Sequence, residues 1–205
     1  MSLPMSKLFL LNLMELGVTV FRGPDEQVWA ELATHALPEL LGRVQKIPEF
    51  PAEPVEALAE TLASRARSGD FPQLETEYVR LFIAGPGGIP APLYESCHQD
   101  TESRTMGQSA LAMRDRLARA GLEISLDSNE PPDHLTLELE YLFHLCAEEW
   151  SGETASEEQA ARFVGEVMLP WVRRFRKALA DANPDPAFLA SADIVVALLE
   201  AVART

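Results

Sequence analysis

Two residue pairs, Cys97-His98 and His144-x-Cys146, carry the ligand types from which zinc and iron sites are built. Their spacing does not serve that chemistry. No CxxC, CxxH or HExxH pair is present. The one Glu-x-x-His, Glu95 to His98, lies in a loop, whereas a di-iron bundle needs two such motifs on facing helices. Asp133-His134 joins a carboxylate to an imidazole, but at the start of a helix, where an acidic residue is already explained by capping and the helix dipole. No G-x-S-x-G elbow supplies a nucleophile. Gly85 to Pro90, "GPGGIP", lacks the Gly-Lys-Ser/Thr of a phosphate loop, and Pro90 stands where a dinucleotide fingerprint needs its third glycine. The sequence therefore predicts no enzyme, no metal and no cofactor.

What remains is binding. The stretch from Phe82 to Asp100, "FIAGPGGIPAPLYESCHQD", is a Gly-Pro loop between two helical segments. Its apolar residues Ile89, Pro90, Ala91, Pro92, Leu93 and Tyr94 either fold back on the core or line a groove for an apolar segment of another chain.

The elements that must carry this loop are helical throughout. A first helix spans roughly Ser6 to Phe21 and ends at Gly23-Pro24. A second starts at Pro24, with Val28, Trp29, Leu32 and Ala36 at helical spacing, and Pro38 is expected to kink or restart it. A third covers Pro54 to Arg67. A fourth begins near Phe71-Pro72 and carries the stripe Leu74, Tyr78, Leu81, Phe82. The fifth is expected over Glu102 to Ala120, with Gly121 as its C-cap, and the sixth over Pro132 to Trp150. Thr154 and Glu157 form a capping box for a seventh, which Pro170 should bend. Asn183-Pro184 opens the last, with Ile194, Leu198 and Val202 on its buried side. No strand run or internal repeat is present. The expected fold is all-α, a single globular bundle of about eight helices forming one domain over residues 1–205. Residues 123–132 are a candidate hinge for domain exchange, so the chain is expected as a monomer or a domain-swapped homodimer.

Composition narrows the partners. The net charge of −15 repels nucleic acid and anionic lipid and favours basic partners. From Ala120 to Ala161 there are eleven Asp and Glu and no Lys or Arg; Arg162, Arg173, Arg174, Arg176 and Lys177 follow. That stretch is a solvated acidic face, a docking face for a basic peptide, or both. Two cysteines give no disulfide framework and fit a reducing compartment. The apolar run Leu8 to Phe21 is interrupted by Asn12 and Glu15 and is too short to span a bilayer, so it is expected as a buried helix without stable membrane insertion.

At two places the sequence resembles a known family. "EYVRLFIAGPGGIPAPLYES" (Glu77 to Ser96) is similar to the E-x-x-x-L-F-x-G-P-G…P-x-x-S signature of the TorD/DmsD/NarJ chaperones, and "EPPDHLTLELEYLFHLC" (Glu130 to Cys146) is similar to their P-D-H-x-x-x-E-L segment. The resemblance implies a TorD-like fold and a cytoplasmic protein. It further implies binding of the twin-arginine leader, the apoprotein, or both, of a molybdenum-containing oxidoreductase until cofactor insertion is complete. It also implies a leader-binding surface at Gly85, Pro86, Gly87, Pro92, Leu93, Tyr94, Asp133 and His134. To these the chemistry of a twin-arginine leader adds Leu81 and Phe82 for its apolar stretch, and Glu130 beside Asp133 for its arginines. The sequence departs from the family in reading Pro92-Leu93-Tyr94 where Pro-Pro-Trp or Pro-Pro-Tyr is common, and in placing His98 at an aromatic position. The alternatives are a helical adaptor for another basic segment and, less favoured, a metal-binding helical enzyme.

Overall fold

The computed structural model describes residues 4–85, 87–99, 107–123, 130–152 and 159–205. Among them the chain forms eight helices and no strand. Helix α1 (Met5–Phe21) is apolar on most of its circumference and sits at the centre. It packs mainly against α6 (Leu135–Ser151) and α8 (Pro186–Val202). Gly17 allows that three-way approach: a Cβ there would lie 3.0 Å from Leu139 Cδ1 and 3.2 Å from Val195 Cγ2. Helix α3 (Glu53–Ser68) covers the other side of α8.

Two of the expected proline breaks become widened turns within continuous helices. Helix α2 runs as Glu26–Glu31, a π-turn Leu32–Ala36, then Leu37–Val44, and the Leu37 N–H donates to Leu32 O. Helix α7 repeats the device: Ala160–Phe163, a π-turn Val164–Met168, then Leu169–Asp181, with the Leu169 N–H on Val164 O. In both, the proline (Pro38, Pro170) is the second residue after the π-turn. A proline ring collides with the carbonyl four residues back in a regular helix, and the wider i→i+5 turn makes room for it. The expected restart at Pro38 is thus an adjustment within one helix.

Helix α4 (Pro72–Tyr78) passes directly into a π-turn, Val79–Ile83, that ends at the Gly-Pro loop. Helix α5 (Gln108–Arg119) starts later than expected, because Gly107 before it is extended and serves as its N-cap. Helix α6 also starts late, at Leu135, with Pro131 and Pro132 in the preceding turn. The Thr154–Glu157 capping box and residues 124–129 of the candidate hinge lie outside the described residues.

The core closes around an aromatic cluster centred on Phe82. Its ring lies 5.0 Å from Tyr78, 5.4 Å from Phe188 and 5.9 Å from Phe21, all edge-on. Helix α4 is thereby fixed to α1 and α8, and the loop leaving it starts from a rigid base. Among the described residues no helix is long and apolar enough to cross a membrane.

Candidate functional site

The Gly-Pro loop folds back on the helix it has just left. Beyond the π-turn, Ala84 is extended and its N–H donates to Val79 O at 2.8 Å. Gly85 follows at a close backbone crossing: a Cβ there would lie 2.8 Å from Arg80 O and 3.0 Å from Gly88 O, so only glycine fits. The Gly88 N–H closes a turn on Gly85 O, and the Ala91 N–H then reaches Leu81 O at 3.1 Å. Leu81, Phe82, Ala91 and Leu93 are all buried by this reversal. Three side chains expected to face an apolar ligand, those of Leu81, Phe82 and Leu93, therefore belong to the core. Pro92 and Tyr94 are half-buried, Gly87 is exposed, and Pro86 lies outside the described residues.

A short antiparallel contact ties the loop to the start of α6. The Leu135 N–H donates to Leu93 O at 2.8 Å, the Glu95 N–H donates to Asp133 O at 3.0 Å, and Tyr94 pairs with His134 as an isolated bridge. This pairing distributes the capping roles. The Asp133 carboxylate crosses to the loop, where Oδ2 accepts from the Ser96 N–H at 3.0 Å and caps the 3-10 helix Glu95–His98. His134 caps α6: Nδ1 accepts from the Thr136 N–H at 3.3 Å and lies 2.8 Å from Thr136 Oγ1. The imidazole is therefore neutral with its proton on Nε2, and burial holds its pKa below the ordinary histidine value against the pull of Glu130 and Asp133. The expectation that Asp133 caps this helix gives way to His134. Asp133 is wholly buried, so of the two carboxylates expected to meet an arginine only Glu130 is exposed.

On the outer side of the bridge, the Tyr94 hydroxyl donates to Glu130 Oε2 at 2.6 Å, and its ring meets the His134 ring edge-on at 5.1 Å. Burial first, then the hydrogen bond to Glu130 and its charge, raise the phenol pKa well above its usual value. On the inner side, Glu138 is wholly buried and accepts from Trp171 Nε1 at 2.9 Å. Burial, reinforced by the Glu95 charge, pushes its pKa far upward. His98 stacks on Trp171 at 5.7 Å and 23°, donates from Nε2 to Pro92 O at 2.7 Å, and receives Arg174 on its carbonyl. The histidine thus does the packing work of the aromatic side chain it replaces.

The structure therefore brings together Pro92, Tyr94, Glu130, Asp133 and His134, with Gly85 and Gly87 at the loop's far end. It also adds residues that the sequence reading left out. Tyr78 donates to Phe21 O at 3.0 Å, and burial, with Glu130 second, raises its pKa to about 12. Arg22 pairs with Glu140 at 2.6 Å one and a half turns along α6 from His134. Tyr78 had been absorbed into a core stripe, Arg22 carried no assigned role, and Glu140 lies within the Glu130–Cys146 segment without having been placed on the binding surface. Only their position one helix face from the Asp-His pair gives them away. As for the metal-ligand pairs, Cys146 is buried, Cys97 is half-buried, and the described residues hold no group of three or more side chains suited to a metal ion.

Residues 48–177 match the family described as nitrate reductase delta subunit, and the chain belongs to that family. The matched region contains both segments that carry the resemblance to the TorD/DmsD/NarJ proteins. Among individual relatives, the chain is 30% identical over 135 residues to the Tat proofreading chaperone DmsD of Salmonella typhi, covering 66% of this chain and 62% of that protein. It is 28% identical over 153 residues to the chaperone protein TorD of Vibrio cholerae serotype O1 (71% and 68% covered). It is 24% identical over 187 residues to TorD of Aliivibrio fischeri (83% and 85%). The match thus spans a little under two thirds of the DmsD relative. In fold, the chain resembles a protein from Archaeoglobus fulgidus described as a redox enzyme maturation protein, with a TM-score of 0.55 at 22% identity over 95% of this chain and 91% of that one.

Proposed function

We propose that this chain is a cytoplasmic, non-catalytic chaperone. It binds the twin-arginine leader of a molybdenum-containing oxidoreductase, its apoprotein, or both, and holds the client until its cofactor is in place. The relatives named as DmsD and TorD chaperones support the class. The observation that carries the site is the edge formed by Tyr94, Glu130 and His134. An exposed carboxylate there already accepts a strong hydrogen bond at 2.6 Å, beside an aromatic face. An arginine guanidinium fits that set by charge-assisted hydrogen bonding to Glu130 and stacking on Tyr94. Gly85, Gly87 and Pro92 contribute a pre-shaped backbone along the same loop. Leu81, Phe82, Leu93 and Asp133 act from beneath, holding the loop and the helix start in register.

The test is titration calorimetry against a panel of twin-arginine leader peptides, each with an Arg-to-Gln control. Binding of at least one leader that fails for its control is expected, and Glu130→Gln should weaken it. Failure of every leader, with binding of unrelated basic peptides, would favour a general adaptor instead.

A further inference from the structure

A groove of about 570 Å³ runs between α1 and α6, lined by Met14, Glu15, Val18, Leu139, Glu140 and Phe143 among others. That volume lies within the roughly 300–1,000 Å³ usual for ligand sites. Its floor is apolar, and both ionisable side chains in the lining are carboxylates, Glu15 and Glu140. The two helices run antiparallel: Arg22 meets Glu140 at one end, and Lys7 lies over the Trp150 ring at the other. The carboxylates of the lining are Glu140, which Arg22 holds, and Glu15. The groove's near end lies at Glu140, six residues or roughly 9 Å along the helix from His134, so it continues the edge formed by Tyr94, Glu130 and His134.

We propose that this groove takes the apolar stretch of an arginine-led leader, and that Arg22 is a built-in competitor for the leader's guanidinium at Glu140. The proposal rests on the leader-binding reading above and adds where the peptide runs and in which direction. A leader whose arginines precede its apolar stretch lies with the arginines at Glu130 and Glu140 and the apolar stretch toward Lys7. The opposite direction would carry its arginines away from the Glu130 edge and leave Glu140 facing hydrocarbon. Arg22 and Glu140 are 58% and 45% exposed, so their pair is screened by water and weakly held. Exchanging one guanidinium for another at Glu140 changes little except which chain supplies it. Arg22 thus keeps the carboxylate occupied in the empty protein and favours ligands that bring an arginine together with enough apolar surface to win the exchange.

A calorimetric mutant cycle tests this with a leader peptide that binds the full chain. Removal of a competitor held by an exposed pair should tighten binding, so Arg22→Ala is expected to lower Kd about two- to fivefold. Glu140→Gln should raise Kd, and Arg22→Ala added to Glu140→Gln should then have no further effect. Val18→Gln should weaken the leader without changing the response to Arg22→Ala. Unfolding curves check that each variant is folded. Unchanged or weaker binding by Arg22→Ala, or an Arg22→Ala effect that persists without Glu140, would overturn the competitor. If Tyr94 and Glu130 variants abolish binding while Glu140→Gln and Val18→Gln leave it unchanged, the groove is wrong and the leader-binding reading stands. If no leader binds the unaltered chain, both fall together.

Discussion

Asp133 and His134 look interchangeable as polar residues at a helix start, yet each faces a different element. Asp133 is buried and accepts the Ser96 N–H from the loop, while His134 caps α6. Removing the carboxylate leaves a buried donor unsatisfied, so Asp133→Ala should cost about 1–3 kcal/mol in denaturant unfolding, and Asp133→Asn clearly less. A neutral result would show that the crossing bond carries no weight. Glu138 gives a pH test. Its folded pKa is raised, so the folded chain holds the proton more tightly than the unfolded one. Its favourable contribution is complete below about 4.5, the value of an unburied glutamate, and is lost as pH rises through the folded value. Glu138→Gln keeps an acceptor for Trp171. Its stability relative to the unaltered chain should therefore climb as pH rises from about 4 to about 8; a flat difference would contradict the assignment. The Asp-His pair was visible in the sequence, but its division of labour was not. Capping preference sees only the local chain, and the decision is made by Ser96, thirty-seven residues away.

The loop is a strap between α4 and α6, held at Leu81–Ala91 on one side and Leu93–Leu135 on the other. Gly85 is the position where it turns over the preceding π-turn. A methyl group there meets backbone oxygens, which cannot move aside as a flexible side chain would. Gly85→Ala should therefore speed hydrogen exchange at the Ala91 and Leu135 amides while leaving α8 protected; equal speeding in all helices would indicate global loss instead. The eight helices were legible from apolar spacing because each buries a stripe at the helical period. The π-turns were not, since an i→i+5 step shifts the stripe by only one residue, and prolines 38 and 170 marked two of the three without naming the geometry. Whether the loop's apolar residues faced inward or outward was open in the sequence, since Leu93 is equally suited to a core and to a groove. The Ala91-to-Leu81 hydrogen bond, which draws the strap onto α4, decides for the core.

At the scale of the molecule, a charge of −15 surrounds an acidic edge, and the expected ligand is basic. Leader binding should therefore weaken as salt is raised, through slower association more than faster release. Salt-independent affinity would mean that the apolar stretch alone is recognised. The central claim is that a leader lies along the Gly-Pro loop and the first turns of α6. Hydrogen exchange of the full chain, with and without a bound leader peptide, tests it most directly. Slowed exchange in residues 87–99 and 130–143, with α3 unchanged, is the predicted footprint. Protection centred on α3, or spread evenly over all helices, would contradict it.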